Sequence, residues 1–261
     1  MARSALLNVM VAAVSKAGRD MTRDFNELEN LQVSLKGPGN FVTAADLKAE
    51  KTIRKELELK RPGYNYLMEE SGRIETGSQH TFIVDPIDGT ANFAHGNPFF
   101  AVSLALETDG QLMAAVIYNP ATEELYTAER GRGAFLNDRR IRVGARKAID
   151  DCLIVSEIPY LSKAGHGDAL RRQRALMSRV GGIRAMGSAA LALCYVAAGR
   201  LDGYIDTGVE PWDVAAGLLI LREAGGFASA WDRKSSIYET GRIVAGNEPI
   251  HRQLTKIIAE A

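Results

Sequence analysis

Ile83-Val84-Asp85-Pro86-Ile87-Asp88-Gly89-Thr90-Ala91-Asn92-Phe93 is the most informative stretch of the chain. An apolar, strand-like run leads directly into two carboxylates three residues apart, then into a glycine and a hydroxyl at a helix start. Pro86 fixes its own φ and removes one backbone donor, which suits a tight turn at a strand end. The first turn of a helix has unpaired N–H groups and a positive dipole end, so Gly89 and Thr90 could receive an anion there. Asp85 and Asp88 beside an anion are unfavourable by themselves. At an effective dielectric near 20, like charges about 4 Å apart repel by about 4 kcal/mol, so a proton or a divalent cation must sit among them. An all-oxygen donor set suits Mg²⁺. Taken in isolation the same residues also fit a simpler reading, in which Asp85 caps a turn, Asp88 caps the next helix and Gly89 relieves strain.

Working outward, the chain downstream to about Val143 carries strand-like runs at Ala101–Glu107, Leu112–Tyr118, Leu125–Ala128 and Ile141–Val143, with Thr81–Val84 before them. Asp109-Gly110, Asn119-Pro120, Gly131-Arg132-Gly133 and Asn137-Asp138 lie between these runs and supply turn chemistry, so consecutive strands are expected to be antiparallel neighbours. Upstream, apolar residues from Leu6 to Phe25 recur at helical spacing, Leu31–Leu35 reads as a strand, and Lys36-Gly37-Pro38-Gly39-Asn40 as a turn. Thr43 and Asp46 form a capping-box pattern for a helix ended by Arg61-Pro62-Gly63. Beyond Arg146 the pattern alternates: strand Cys152–Glu157, helices Ala169–Val180 and Ala189–Ala198, strand Gly203–Asp206, helix Trp212–Ala224, strand Arg242–Ala245, helix Pro249–Ala259. The expected class is α+β. N-terminal helices and a largely antiparallel sheet fill residues 1–146, and a smaller α/β half fills residues 147–261.

Composition narrows the function classes. The chain has 261 residues, 46% hydrophobic and 25% charged, which is globular rather than disordered. Its 32 basic and 32 acidic residues cancel, so no global field steers it to phosphate polymers or anionic lipid. Nucleic-acid binding is therefore not expected. Arg139-Arg140-Ile141-Arg142 and Arg171-Arg172-Gln173-Arg174 are short basic clusters, expected as exposed charged faces. Cys152 and Cys194 lie in apolar surroundings without CxxC spacing and read as core residues of a protein in a reducing compartment. The N-terminal apolar run is broken too early by Asn8, Ser15 and Lys16 to be a signal peptide, and no run reaches the roughly 18 residues of a membrane span. A soluble, cytoplasmic protein is expected.

Three further segments bear on the paired aspartates. Glu69-Glu70-Ser71-Gly72 follows an ordered run, Tyr64–Met68, and could bring a carboxylate to the same pocket or be a solvated turn. Pro211-Trp212-Asp213-Val214-Ala215-Ala216-Gly217 opens a helix that is apolar on nearly every face, so the helix is buried with Asp213 in its first turn, as a dipole partner or as a ligand. Gly187-Ser188 opens another helix with small residues, leaving room for a ligand or for close packing.

Together these segments resemble the inositol monophosphatase family of Mg²⁺-dependent, lithium-sensitive phosphatases. The resemblance spans nearly the whole chain, from Lys36 and Val42-Thr43-Ala44-Ala45-Asp46 through Glu69-Glu70-Ser71 and Asp85-Pro86-Ile87-Asp88-Gly89-Thr90 to Trp212-Asp213-Val214-Ala215-Ala216-Gly217 and Glu223-Ala224-Gly225-Gly226. It implies a layered αβαβα sandwich and a homodimer. It also implies two to three Mg²⁺ per site: one held by Glu69, Asp85 and the Ile87 carbonyl, a second by Asp85, Asp88 and Asp213, and a weaker third near Glu69. Thr90 with Asp46 would activate a metal-held water for in-line attack on phosphorus. Gly89, Thr90, Gly187, Ser188, Ala189 and Asp206 would contact the substrate.

The activity so implied is hydrolysis of a small phosphate ester, inositol 1-phosphate first. Fructose 1,6-bisphosphate, histidinol phosphate and adenosine 3′,5′-bisphosphate are the alternatives, and a transcription-associated binding module is the alternative from another class. Three positions depart from the family pattern. Met68 replaces a glycine before Glu69, Asp206 stands where a longer glutamate is common, and Ala192 replaces an acidic residue.

Overall fold

The computed structural model describes residues 3–26, 33–37, 40–159 and 165–261. Residues 31–32 of the expected first strand and residues 38–39 of the turn after it lie outside that set, as do the side chains of residues 33–37 and 40–43, including the Thr43 half of the capping box.

Helix α1 (Ala5–Asn26) leads to a hairpin of β1 (Val33–Gly37) and β2 (Asn40–Thr43), then to α2 (Ala44–Lys60). Next come β3 (Asn65–Met68), β4 (Gly72–Ile74), β5 (His80–Asp88), the short α3 (Thr90–Ala94), β6 (Ala101–Thr108), β7 (Gln111–Asn119), β8 (Glu124–Glu129), β9 (Gly133–Leu136) and β10 (Arg139–Ile141). Strands β3 to β10 form an eight-stranded sheet in the order β10-β9-β8-β7-β6-β5-β3-β4. From β5 to β10 each strand pairs antiparallel with the next, as the turn residues require. Both residues of the Asp109-Gly110 and Asn137-Asp138 turns take positive φ, 49° and 72° in the first pair and 46° and 63° in the second. The second pair starts the last strand two residues earlier than the sequence pattern suggests, at Arg139–Ile141 rather than Ile141–Val143.

The second half contains β11 (Leu153–Ser156), α4 (His166–Met177), β12 (Gly182–Arg184), α5 (Ala189–Ala197), β13 (Gly203–Thr207), α6 (Pro211–Glu223), β14 (Phe227–Ser229), α7 (Ile237–Thr240), β15 (Arg242–Gly246) and α8 (Glu248–Ala259). Its five strands run β12-β11-β13-β15-β14, with β11 parallel to both β12 and β13.

Three cores separate five layers. Leu7, Met10, Val14 and Met21 of α1 and Ile53 and Leu57 of α2 bury against Phe82, Val84, Leu104 and Val116 of the large sheet. On its other face, Ile83, Ala101, Ala105 and Ile117 meet Leu191 and Leu193 of α5 and Leu219 and Ile220 of α6, which also cover Val155, Tyr204 and Ala245 of the small sheet. The outer face of that sheet, with Ile154, Ile205 and Val244, is closed by Leu176 of α4 and Ile250 and Leu254 of α8. The order is αβαβα, as the family resemblance implies. Because both faces of the large sheet are covered, β5 and β6 read as near-continuous apolar runs rather than alternating ones.

Both cysteines are fully buried and unbridged. Burial pushes the Cys152 thiol up to about 11 and raises Cys194 well above the usual thiol range, which leaves both inert as nucleophiles. One expectation needs correction. Arg172 of the second basic cluster is not on an exposed face; it is buried, its guanidinium 4.4 Å from the centre of the Trp231 ring, where its stem and its charge both find a partner.

Candidate metal-dependent active site

Strand β5 delivers its two aspartates through a defect in its own pairing. Asp85 faces Ser103 of β6 and Asp88 faces Ala101, so three residue steps on β5 oppose two on β6. The extra residue is a bulge, where Pro86 costs no ladder bond and Asp88 is turned to a new direction. Gly89 follows with φ of +91° and ends the strand. A Cβ there would lie 3.0 Å from the Phe99 carbonyl oxygen and 3.1 Å from that of Gly187, so both backbone angle and space demand glycine.

Asp213 arrives from the second half at the third position of α6, with Pro211 opening the helix. The Glu210 amide donates to Asp213 Oδ2 at 2.7 Å while the Glu210 side chain accepts from the Asp213 amide, a reciprocal cap. Capping does not exclude the other role, because carboxylate oxygens of Asp85, Asp88 and Asp213 all lie within 4.8 Å of one another.

Glu69 comes from the end of β3, which is parallel to β5 with Met68 opposite Val84, so the two strands end together. The Glu69 amide donates to the Val84 carbonyl at 3.2 Å. Met68 is completely buried in the core beneath the sheet. Asp46 is buried in the first turn of α2, and the Thr90 hydroxyl lies 3.3 Å from its Oδ1 and 2.9 Å from the Ile87 carbonyl oxygen.

Burial drives the electrostatics of this cluster. Asp85 is pushed well above the usual carboxylate range, first by loss of solvent and then by the charges of Glu69, Asp88 and Asp213. Asp88 is pushed up to about 6 by burial, against the lowering effect of bonds from the Ser188 hydroxyl and the Ala190 and Ala189 amides. Those amides open α5, at 2.8 Å from Ala190 and 3.3 Å from Ala189, so Asp88 does cap a helix, though one a hundred residues further along the chain. Asp85 Oδ1 is buried with no hydrogen-bond partner among the described residues. Carboxylate donors, mutual repulsion and a buried carboxylate oxygen left without a partner fit a hard divalent cation.

The cluster lies in a cavity of about 390 Å³ between the two halves. Glu69, Asp85, Ile87, Asp88, Gly89, Thr90, Gly187, Ser188, Ala189, Asp206 and Asp213 all line it, so the structure brings together every expected site residue except Asp46, which stands behind Thr90. Asp206 accepts from the Tyr204 hydroxyl and the Thr207 amide, each at 2.6 Å. Ala192 does not line the cavity; it packs in the core between the sheets.

Besides Glu210, which lines the cavity and caps Asp213, two acidic residues have no counterpart in the sequence-based expectations. Glu50 is buried one helical turn after Asp46, and its carboxylate accepts the Glu70 amide at 2.9 Å and the Ser71 hydroxyl, which fixes the turn carrying Glu69. Its four-residue spacing from Asp46 on a half-apolar helix is the signal that could have found it. Glu157 lines the cavity just past β11 and accepts the Met186 and Gly187 amides, for which the sequence offers no cue.

The five-layered fold, with its carboxylates converging from β5, β3 and α6, is that of a metal-dependent phosphatase class, and residues 2–261 match the inositol monophosphatase family, to which this chain belongs. The inositol-1-monophosphatase of Mesorhizobium japonicum is 58% identical over 99% of this chain and 97% of its own length. The crystal structure of the extragenic suppressor protein suhB from Bartonella henselae superposes with a TM-score of 0.96 at 53% identity, covering 99% of this chain and 100% of that one. The Nus factor SuhB of Pseudomonas aeruginosa is 39% identical over 97% of this chain and 95% of its own length.

Proposed function

We propose that this protein is a Mg²⁺-dependent phosphoric monoester hydrolase whose substrate is inositol 1-phosphate. The observation that carries the reading is the convergence of Asp85, Asp88 and Asp213 within 4.8 Å beside the Thr90–Asp46 pair. The rhizobial relative named inositol-1-monophosphatase, at 58% identity, supports the substrate.

In this reading Glu69, Asp85 and the Ile87 carbonyl would hold one ion, Asp85, Asp88 and Asp213 would hold another, and Glu69 would lie near a weaker third. Bound divalent cations supply neutralisation of the ester's charge, a lowered water pKa and stabilisation of the leaving oxygen. Thr90 orients the attacking water through its hydroxyl, and Asp46 accepts the proton relayed through it. The amides of Gly89 and Thr90 hold the phosphate in line, while Gly187, Ser188 and Ala189 form the facing wall. Asp206 accepts hydroxyl hydrogens of the organic part, its orientation fixed by Tyr204 and Thr207. The metal site built on residues 85–90 falls in residues 1–146, and residues 147–261 supply Asp213 and the substrate contacts of Gly187, Ser188, Ala189 and Asp206.

A homodimer, expected from the family, and a reducing cytoplasm, which suits two free buried cysteines, complete the reading. Among the described residues no helix is long and apolar enough to cross a membrane. The Pseudomonas aeruginosa relative named Nus factor SuhB supports a second reading, a transcription-associated binding module. Phosphate release from inositol 1-phosphate, fructose 1,6-bisphosphate, histidinol phosphate and adenosine 3′,5′-bisphosphate separates these readings. Fastest Mg²⁺-dependent release from inositol 1-phosphate is expected; no release from any of the four by folded protein contradicts the hydrolase.

A further inference from the structure

We propose that Glu157 is a positioning residue for Asp88, acting through the Met186–Ser188 turn; the inference rests on the reading of Asp88 as a cation ligand. Glu157 is anchored to the small sheet, its amide donating to the Ile205 carbonyl at 3.2 Å. Its Oε1 accepts the Met186 amide at 2.7 Å and the Gly187 amide at 3.1 Å. The turn is gripped from the opposite side by Asn92 of α3, whose Nδ2 donates to the Met186 carbonyl at 2.8 Å. Gly187 takes φ of +73°, and a Cβ there would come within 3.0 Å of Asn92 Nδ2, so the turn has little room to shift.

The residues immediately after Gly187 make this turn consequential. Asp88 receives its three protein hydrogen bonds from the Ser188 hydroxyl and the Ala189 and Ala190 amides, all within three residues of Gly187. Rotating the turn therefore displaces all three donors together. A ligand's orientation is set by such outer partners, and removing one weakens metal affinity about 10–100-fold. One oxygen accepting two amides is the feature required, not the negative charge, so a glutamine can replace it and an alanine cannot.

The test uses the full-length chain with Glu157→Ala, Glu157→Gln and Asp88→Asn. Mn²⁺ affinity is measured by titration calorimetry, and hydrogen exchange of residues 186–191 by mass spectrometry. We expect Glu157→Ala to weaken Mn²⁺ binding by about ten-fold and to speed exchange at 186–191, with Glu157→Gln within about two-fold of wild type in both. Should Glu157→Ala fail to fold, Glu157→Asp withdraws the acceptor by one methylene and is expected to weaken binding in the same direction. Wild-type affinity and protection in the alanine or aspartate variant overturns the proposal, as does a glutamine variant as impaired as alanine, which points to the Glu157 charge acting on Asp88 rather than to the turn. Wild-type Mn²⁺ binding by Asp88→Asn overturns the ligand reading beneath it. Weakened binding there beside an unaffected Glu157→Ala overturns only the relay.

Discussion

Asp88 illustrates how single residues serve two purposes here: it satisfies the first amides of α5 and also faces Asp85 and Asp213. Burial raises it to about 6 against the lowering effect of its hydrogen-bond donors, whereas Asp85, with one unpartnered oxygen, is raised by burial and by the charges of Glu69, Asp88 and Asp213. Thr90 is similarly placed, between the Asp46 carboxylate and the Ile87 carbonyl. If its hydroxyl relays a proton, Thr90→Val should lower kcat by about 10²–10⁴-fold while leaving KM nearly unchanged, and Thr90→Ser should recover most of the loss; steady-state phosphate release measures both. Asp85, Asp88, Thr90 and Asp213 were legible in the sequence because each stands in a short pattern that a strand end or helix start explains. Glu50 and Glu157 were not, because they act on backbone amides of segments 20 and 29 residues away, and no local spacing announces such a contact.

The elements obey the same division. Hairpins with Asp109-Gly110 and Asn137-Asp138 were legible because positive φ selects those residues. The three-residue strands β4, β12 and β14 were not, since three residues display no period of two. The contact of α5 with α6 depends on Gly217, where a Cβ would lie 2.6 Å from Leu193 Cδ1 and 2.8 Å from Leu193 Cβ. The second of these atoms sits at the base of its side chain and cannot swing away. Gly217→Val is therefore expected to destabilise the protein by about 1–3 kcal/mol in urea unfolding, despite the poor helix propensity of glycine. A stable variant would mean that the two helices are less closely locked than their spacing requires.

At the scale of the whole molecule, the two halves enclose a cavity lined by seven carboxylates, and the fold carries the cost of holding them together. Asp88, raised from 3.8 to about 6, keeps its proton in the folded state at pH values where the unfolded chain has lost it. The unfolded state then binds fewer protons, so without metal stability falls as pH rises from about 4 through about 6; Asp85, raised in the same direction, adds to the decline. A cation among the carboxylates reverses this penalty. The Mg²⁺-induced rise in Tm should therefore be larger at pH about 7.5 than at pH about 5 by at least about 3 °C. An equal rise at both values would place Mg²⁺ elsewhere. Phosphate release from inositol 1-phosphate across a Mg²⁺ titration, for wild type and Asp88→Asn, decides whether these aspartates hold the ions that drive ester hydrolysis. Turnover is expected that chelator abolishes and that the variant loses by at least about a hundred-fold; full turnover by a folded Asp88→Asn protein at ordinary Mg²⁺ would show that Asp88 holds no such ion.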